Sequence, residues 1–206
     1  QMKKLKLLNK KCFLILLFFF QEKLIFKNGK KIDKNYVFKF DKRYKEVFIP
    51  TDGNNKINAI QYFVEKSKSK GIVLFCHGNK WNLITWGKRV VYFLKYDYDV
   101  LVFDYRNYGK STGVFNEKKM YADAAAVYNF IRQSYDEDKI VVYGFSLGST
   151  FATRLAALYN PKELILEAPF YNFKKAVKYY NKWAPLFLLK YRFNTDQDIV
   201  KVKAPI

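Results

Sequence analysis

Three short runs in this chain are apolar at almost every position: Gly71–Cys76 (GIVLFC), Asp99–Phe103 (DVLVF) and Lys139–Tyr143 (KIVVY). A strand buried on both faces reads this way, because neither face needs the polar residues of a half-solvated sheet. Glu163–Leu166 (ELIL) reads as a fourth such strand. Glu46–Pro50 and Ile57–Glu65 read as earlier strands around the turn Thr51-Asp52-Gly53-Asn54-Asn55. Helical periodicity predicts helices over residues 82–94, 117–133, 147–159 and 172–182. The clearest is 117–133, with Met120, Ala124, Val127 and Ile131 on one face. Val202 to Ile206 reads as the start of a further strand. Alternating strands and helices, with strands buried on both faces, predict a mostly parallel sheet flanked by helices, an α/β fold.

The first 26 residues follow a different pattern. Lys3, Lys4, Lys6, Lys10 and Lys11 precede an unbroken apolar run, Cys12 to Phe20, and Gln21-Glu22-Lys23 and Leu24-Ile25-Phe26 follow it. A positive segment before a short apolar run is the pattern of a signal peptide. No small-x-small cleavage site follows, so an uncleaved signal-anchor or membrane segment is expected over 1–26. The lysines should stay on the cytoplasmic side. A buried amphipathic helix or strand is the alternative. Residues 27–45 are polar and lysine-rich and read as a basic tether, which leaves 46–206 as the folded domain.

Composition narrows the classes. The chain has 206 residues, of which 50% are hydrophobic and 27% charged, enough apolar material for one domain with a substantial core and too little length for two. Cys12 and Cys76 make no disulfide framework, and no Cys/His cluster suggests a structural zinc site. The net charge is +20, and half of the excess lies in residues 1–48. Such a charge suits an anionic membrane surface or a nucleic acid. Only six of the 38 basic residues are arginine, and no nucleic-acid motif appears, so nucleic acid is not expected as a partner. The single histidine, His77, means that any histidine base within these residues must be that one.

The strongest chemical signal is Gly144-Phe145-Ser146-Leu147-Gly148. This G-x-S-x-G directly follows the strand KIVVY and opens a helix, the context in which a serine sits on a sharp turn with its hydroxyl above the sheet. Gly144 and Gly148 let backbone and helix approach without a Cβ clash. The helix N-terminus offers free amides to a developing oxyanion. His77-Gly78-Asn79, just after GIVLFC, can aim a second amide at the same space. The candidate oxyanion donors are therefore the amides of Leu147 and Asn79.

With these motifs the chain resembles the α/β-hydrolases. It is most similar to membrane-anchored serine hydrolases that carry an HGN turn, a D-Y-R-x-Y-G-x-S loop (Asp104 to Ser111) and the G-x-S-x-G elbow. Glu167-Ala168-Pro169-Phe170 and the stretch Gln21–Phe26 also fit, and the resemblance covers residues 12–206. It implies Ser146 as nucleophile, and His77 with Gly78 as support for the oxyanion turn rather than as the base. Asp104 would organise its loop. It implies acyl transfer to water from an ester, thioester or amide, with a small-molecule or lipid acyl substrate and no metal or organic cofactor. Substrate choice would lie in the cap, Tyr171–Asp198, whose Tyr179, Tyr180, Trp183, Leu186, Phe187 and Leu188 suit an acyl chain. Many relatives continue HGN with Ala-Gly-Asn. Here Lys80-Trp81-Asn82 follows, and Trp81 is expected to narrow or cover the pocket.

In this fold the triad runs in the order Ser, Asp or Glu, then His. No histidine follows His77, and Glu167 is a poor substitute acid with no histidine to orient. The sequence thus carries a nucleophile and an oxyanion hole without triad partners, as in an α/β-hydrolase missing its last strands and helices. Losing triad members leaves about 10³ to 10⁴ of rate enhancement over water, so this chain alone is expected to be almost inactive. A membrane-tethered, non-catalytic binding module is the alternative function. Oligomeric state is not legible.

Overall fold

The computed structural model describes the backbone from Met2 to Ile206 and side chains from Leu14 onward. Gln1, and the side chains of the five early lysines and of Cys12, lie outside the described residues.

The chain opens with helix α1 (Met2–Ile25) and continues into a six-stranded sheet. The strands are β1 (Tyr44–Pro50), β2 (Lys56–Tyr62), β3 (Ile72–Cys76), β4 (Asp99–Phe103), β5 (Ile140–Phe145) and β6 (Glu163–Glu167). Their order is β1-β2-β4-β3-β5-β6. The β1–β2 hairpin and the β2–β4 pair are antiparallel, and β4-β3-β5-β6 are parallel. The connections are helices α2 (Leu83–Val90), α3 (Glu117–Ile131) and α4 (Gly148–Leu158), with α5 (Phe173–Tyr180) and α6 (Thr195–Ile199) after β6.

The uniformly apolar runs become the central strands, and every residue of β3 and β4 is buried. Side chains alternate between the two faces, so each strand feeds two cores. Leu74, Cys76, Leu101 and Phe103 pack under α3 and α4, against Met120, Val127 and Phe151. Phe75, Val100 and Val102 pack on the other face against Trp86 and Val90 of α2.

Four sequence expectations need adjustment. The helix expected over 82–94 is α-helical only to Val90. A 3-10 segment runs from Val91 to Tyr96 and stops at Asp97, whose left-handed backbone (φ 64°) ends it. The second strand ends at Tyr62, short of Glu65. Val202–Ile206 forms no strand, although the amide of Leu164 in β6 donates to the Pro205 carbonyl at 2.9 Å. Residues 27–45 lie against the domain instead of standing off as a tether. Ile32 and Phe38 are buried, Phe40 packs onto Gly87, and the Ile32 amide donates to Gly109.

Helix α1 also lies against the domain. Gln21 is buried, and its side chain donates to the carbonyl of Leu188 and accepts from the amide of Lys190. Glu22 pairs with Lys190 at 3.1 Å and accepts from the Tyr191 hydroxyl. Phe26 stacks on Phe115 inside the core. Among the described residues no helix is long and apolar enough to cross a membrane.

Candidate active site

Ser146 sits between β5 and α4 with φ +51°, in the left-handed region. A non-glycine residue there costs about 1–3 kcal/mol and persists only where its surroundings force it. Here they do. The Ser146 amide donates to Glu167 at the end of β6, and its carbonyl accepts from Ser149 in the first turn of α4. The two flanking glycines make the turn feasible. A Cβ on Gly148 would lie 1.8 Å from the carbonyl oxygen of Cys76, and one on Gly144 would lie 2.6 Å from the Cα of Ser149. Strand β3, strand β5 and helix α4 therefore meet at van der Waals distance directly beneath the serine.

The HGN turn leaves the end of β3 beside this elbow, with Gly78 against the ring of Phe145. It is braced from below by the loop after β4. The Tyr105 hydroxyl donates to the His77 carbonyl at 2.6 Å, and the Tyr108 hydroxyl donates to the Asn79 carbonyl at 2.9 Å. Both phenols are buried, which pushes their ionisation well up and keeps them protonated donors. Ser111 closes the loop by donating to the Asp104 carbonyl. Arg106 anchors it through a two-pronged pair with Asp123, with both contacts at 2.6 Å. The sequence motif D-Y-R-x-Y-G-x-S is thus a brace for the turn. The resemblance pointed to the motif, but nothing in the sequence gave the hydroxyl roles of Tyr105 and Tyr108.

His77 is fully buried, with Nε2 3.3 Å from Asp104 Oδ1 and Nδ1 2.7 Å from the Gly78 carbonyl. Its ring is enclosed by Trp86, Tyr105 and Tyr108. Burial raises the Asp104 carboxyl above the ordinary range, and the neighbouring histidine and the Leu83 amide draw it partly back. Among the described residues no side-chain hydrogen bond joins His77 to Ser146. Trp81 departs from expectation. It does not line the cavity at Ser146, but packs against Trp86 with the Arg89 guanidinium 4.8 Å over its ring. Its strained backbone (φ 67°) and the bond from its amide to Lys27 turn the side chain away.

Above the elbow lies a cavity of about 400 Å³, within the size range of small-ligand sites. Ser146, Leu147 and Asn79 line its floor. Neither the Leu147 nor the Asn79 backbone amide donates to another described residue, and both residues line the cavity. The first turn of α4 has no side-chain cap that would occupy such a donor. One wall is the cap, with Phe173, Val177 and Leu188. The opposite wall is α1, with Leu17, Gln21, Leu24 and Ile25. Asn79 links the two parts, since its side chain donates to the Ile25 carbonyl at 2.6 Å. The sequence pattern of α1 gave no sign that it lines the site, because the same apolar run suits a membrane segment.

A mixed, mostly parallel six-stranded sheet, helices on both faces and a strained serine on the β5–α4 turn define an α/β-hydrolase. The family model for the alpha/beta hydrolase fold matches residues 71–201, and the chain belongs to that family. Among curated proteins it is 30% identical over 145 residues to the uncharacterized protein R595 of Acanthamoeba polyphaga mimivirus, covering 64% of this chain and 48% of that one. It is 34% identical over 121 residues to the lysophosphatidylserine lipase ABHD12 of Bos taurus, covering 54% of this chain and 30% of the lipase. A solved alpha-beta hydrolase from Vibrio vulnificus has the same fold, with a TM-score of 0.65, 20% identity, and coverage of 78% of this chain and 60% of that one. The chain spans about half the length of the first curated relatives it matches.

Proposed function

We propose that Ser146 is the nucleophile of a serine hydrolase that cleaves an ester, thioester or amide of an apolar acyl group. The observation that carries this is the strained serine at the floor of an apolar cavity, beside two open backbone amides. Ser146 Oγ attacks the carbonyl carbon and the carbonyl electron pair moves to oxygen. The amides of Leu147 and Asn79 receive that oxyanion, and its collapse expels the alcohol, thiol or amine and leaves an acyl-serine. Water then attacks the acyl-serine and the acid is released. The cavity walls of α1 and the cap hold the acyl chain. His77 is enclosed beside Asp104, so in this chain the Ser146 proton passes to solvent hydroxide and water returns a proton to the departing alcohol, thiol or amine.

That last point also favours a second reading, in which the same cavity binds an acyl group without cleaving it. The similarity to a lysophosphatidylserine lipase supports a lipid ester as the substrate class. Attachment to a membrane through residues near 5–26 belongs to the same proposal and is supported by the lysines followed by an apolar run.

Activity-based labelling decides between the readings. Protein taken from its own cells and treated with a fluorophosphonate should carry the label on Ser146, and Ser146→Ala should abolish it. Folded protein that stays unlabelled overturns hydrolysis and leaves acyl binding.

A further inference from the structure

The cavity at Ser146 opens through a surface that is apolar, aromatic and basic. Leu24 of α1 and Tyr180 of α5 both line the cavity and are 59% and 86% exposed, so they stand at its mouth. On the same two segments, Phe19 of α1 and Tyr179, Trp183 and Phe187 of the cap are also largely exposed, Trp183 to 93%. A lone exposed aromatic needs no explanation, but a cluster around one opening does. The two elements act as one platform, because Gln21 and Glu22 bind α1 to Leu188, Lys190 and Tyr191.

The charge around this rim is mostly basic, with Glu22 paired to Lys190. No acidic residue occurs between Ala168 and Thr195, whereas Lys174, Lys175, Lys178, Lys182, Lys190 and Arg192 all do. On α1, Lys23 sits among the exposed apolar positions. Exposed tyrosine and tryptophan beside lysines match the headgroup boundary of an anionic bilayer, where aromatic bodies bury and ammonium groups meet phosphates. The apolar run Cys12–Phe20 is nine residues, about 14 Å of helix against the ~30 Å hydrocarbon core.

We propose that this rim is a docking surface for an anionic lipid bilayer. Helix α1 lies along the interface, and the cap aromatics enter the headgroup region. The opening between Leu24 and Tyr180 then faces the lipid, so an acyl chain passes from the bilayer into the cavity without crossing water. Only that last step rests on the proposed hydrolase chemistry; docking itself does not.

The test uses the full chain and vesicles of phosphatidylcholine alone or with one third phosphatidylserine. Wild type and Ser146→Ala should sediment equally with the anionic vesicles and about tenfold less well with the neutral ones. The combined variant Y179S/Y180S/W183S/F187S should lose binding about tenfold or more, with an unchanged circular-dichroism melt. Lys178→Glu with Lys182→Glu should remove the preference for phosphatidylserine. If the combined variant fails to fold, wild type alone answers, because lipids brominated in the upper acyl chain should quench its fluorescence and Trp183→Phe should remove most of that quenching. Cap variants that bind like wild type, no quenching at Trp183, or capture by a purified protein but not by vesicles would each overturn the proposal. Wild type that sediments with the anionic vesicles but stays unlabelled by the fluorophosphonate would remove the hydrolase reading and leave the docking surface standing.

Discussion

At the scale of single residues, the candidate site is held by side chains that do not line its cavity. Tyr105 and Tyr108 hold the carbonyls of His77 and Asn79, and Arg106 fixes the loop that carries those tyrosines. Arg106 reaches further, to Asp52 in the β1–β2 turn at 2.8 Å, where Lys119 also binds. The Lys119 ammonium and then the Arg106 guanidinium hold the Asp52 carboxyl down to about 2. An ordinary aspartate titrates near pH 3.9, as it does in the unfolded chain. A carboxyl depressed in the folded state contributes stability that is present above the ordinary value and lost as pH falls through the folded one. The contribution of Asp52 should therefore fade from about pH 4 to about pH 2. Asp104 and Asp123 titrate in the opposite sense, because burial raises both, so the comparison must be with a variant. Asp52→Asn should show a smaller loss of urea midpoint between pH 4 and pH 2 than wild type. Equal losses would mean that the turn carboxylate is not linked to folding.

At the scale of elements, what was legible in the sequence depended on how completely an element is buried. GIVLFC, DVLVF and KIVVY were readable as strands because both faces are dry, and each ended within two residues of expectation. The elbow was readable because its strand, glycines and helix follow one another along the chain. Helix α1 was not. Nine consecutive apolar residues carry no facial preference, so only the folded cap reveals that Leu17 and Leu24 face the cavity while Phe19 faces out. The sheet order is likewise set by long-range pairing that no local pattern encodes. Gln21 and Glu22 both fasten α1 to the cap, and Gln21 spans 167 residues of sequence to reach Leu188. Gln21→Ala deletes both side-chain bonds to the 188–190 backbone and leaves the Glu22–Lys190 pair in place. Amide exchange in residues 186–190 should then accelerate about fivefold to tenfold, equivalent to about 1 kcal/mol for a lost buried hydrogen bond, while β3 and β5 exchange as before. Unchanged exchange at Lys190 would show that the cap is held from elsewhere.

At the scale of the whole molecule, the proposed nucleophile, the proposed oxyanion donors and the cavity lie together at one end of the six-stranded sheet, and the sequence's single histidine is packed beside them. His77 is enclosed by Trp86, Tyr105 and Tyr108, lies 3.3 Å from Asp104, and makes no side-chain hydrogen bond to Ser146 among the described residues, as the proposed support role requires. The kinetic consequence is specific. A histidine base gives a rate that rises through its own titration near neutral pH and then levels. Among the described residues no histidine is hydrogen-bonded to Ser146. Any ester hydrolysis through Ser146 in this chain should therefore climb steadily with hydroxide from pH 6 to pH 9 with no plateau, at about 10⁴ to 10⁶ below a complete triad. A stoichiometric acyl burst by mass spectrometry, absent in Ser146→Ala, ties that rate to the serine. A plateau above pH 7 in the same chain would show that His77 reaches Ser146 and would overturn its support role. The pH profile is thus a direct measure of whether the enclosed histidine supports the turn or serves as the base.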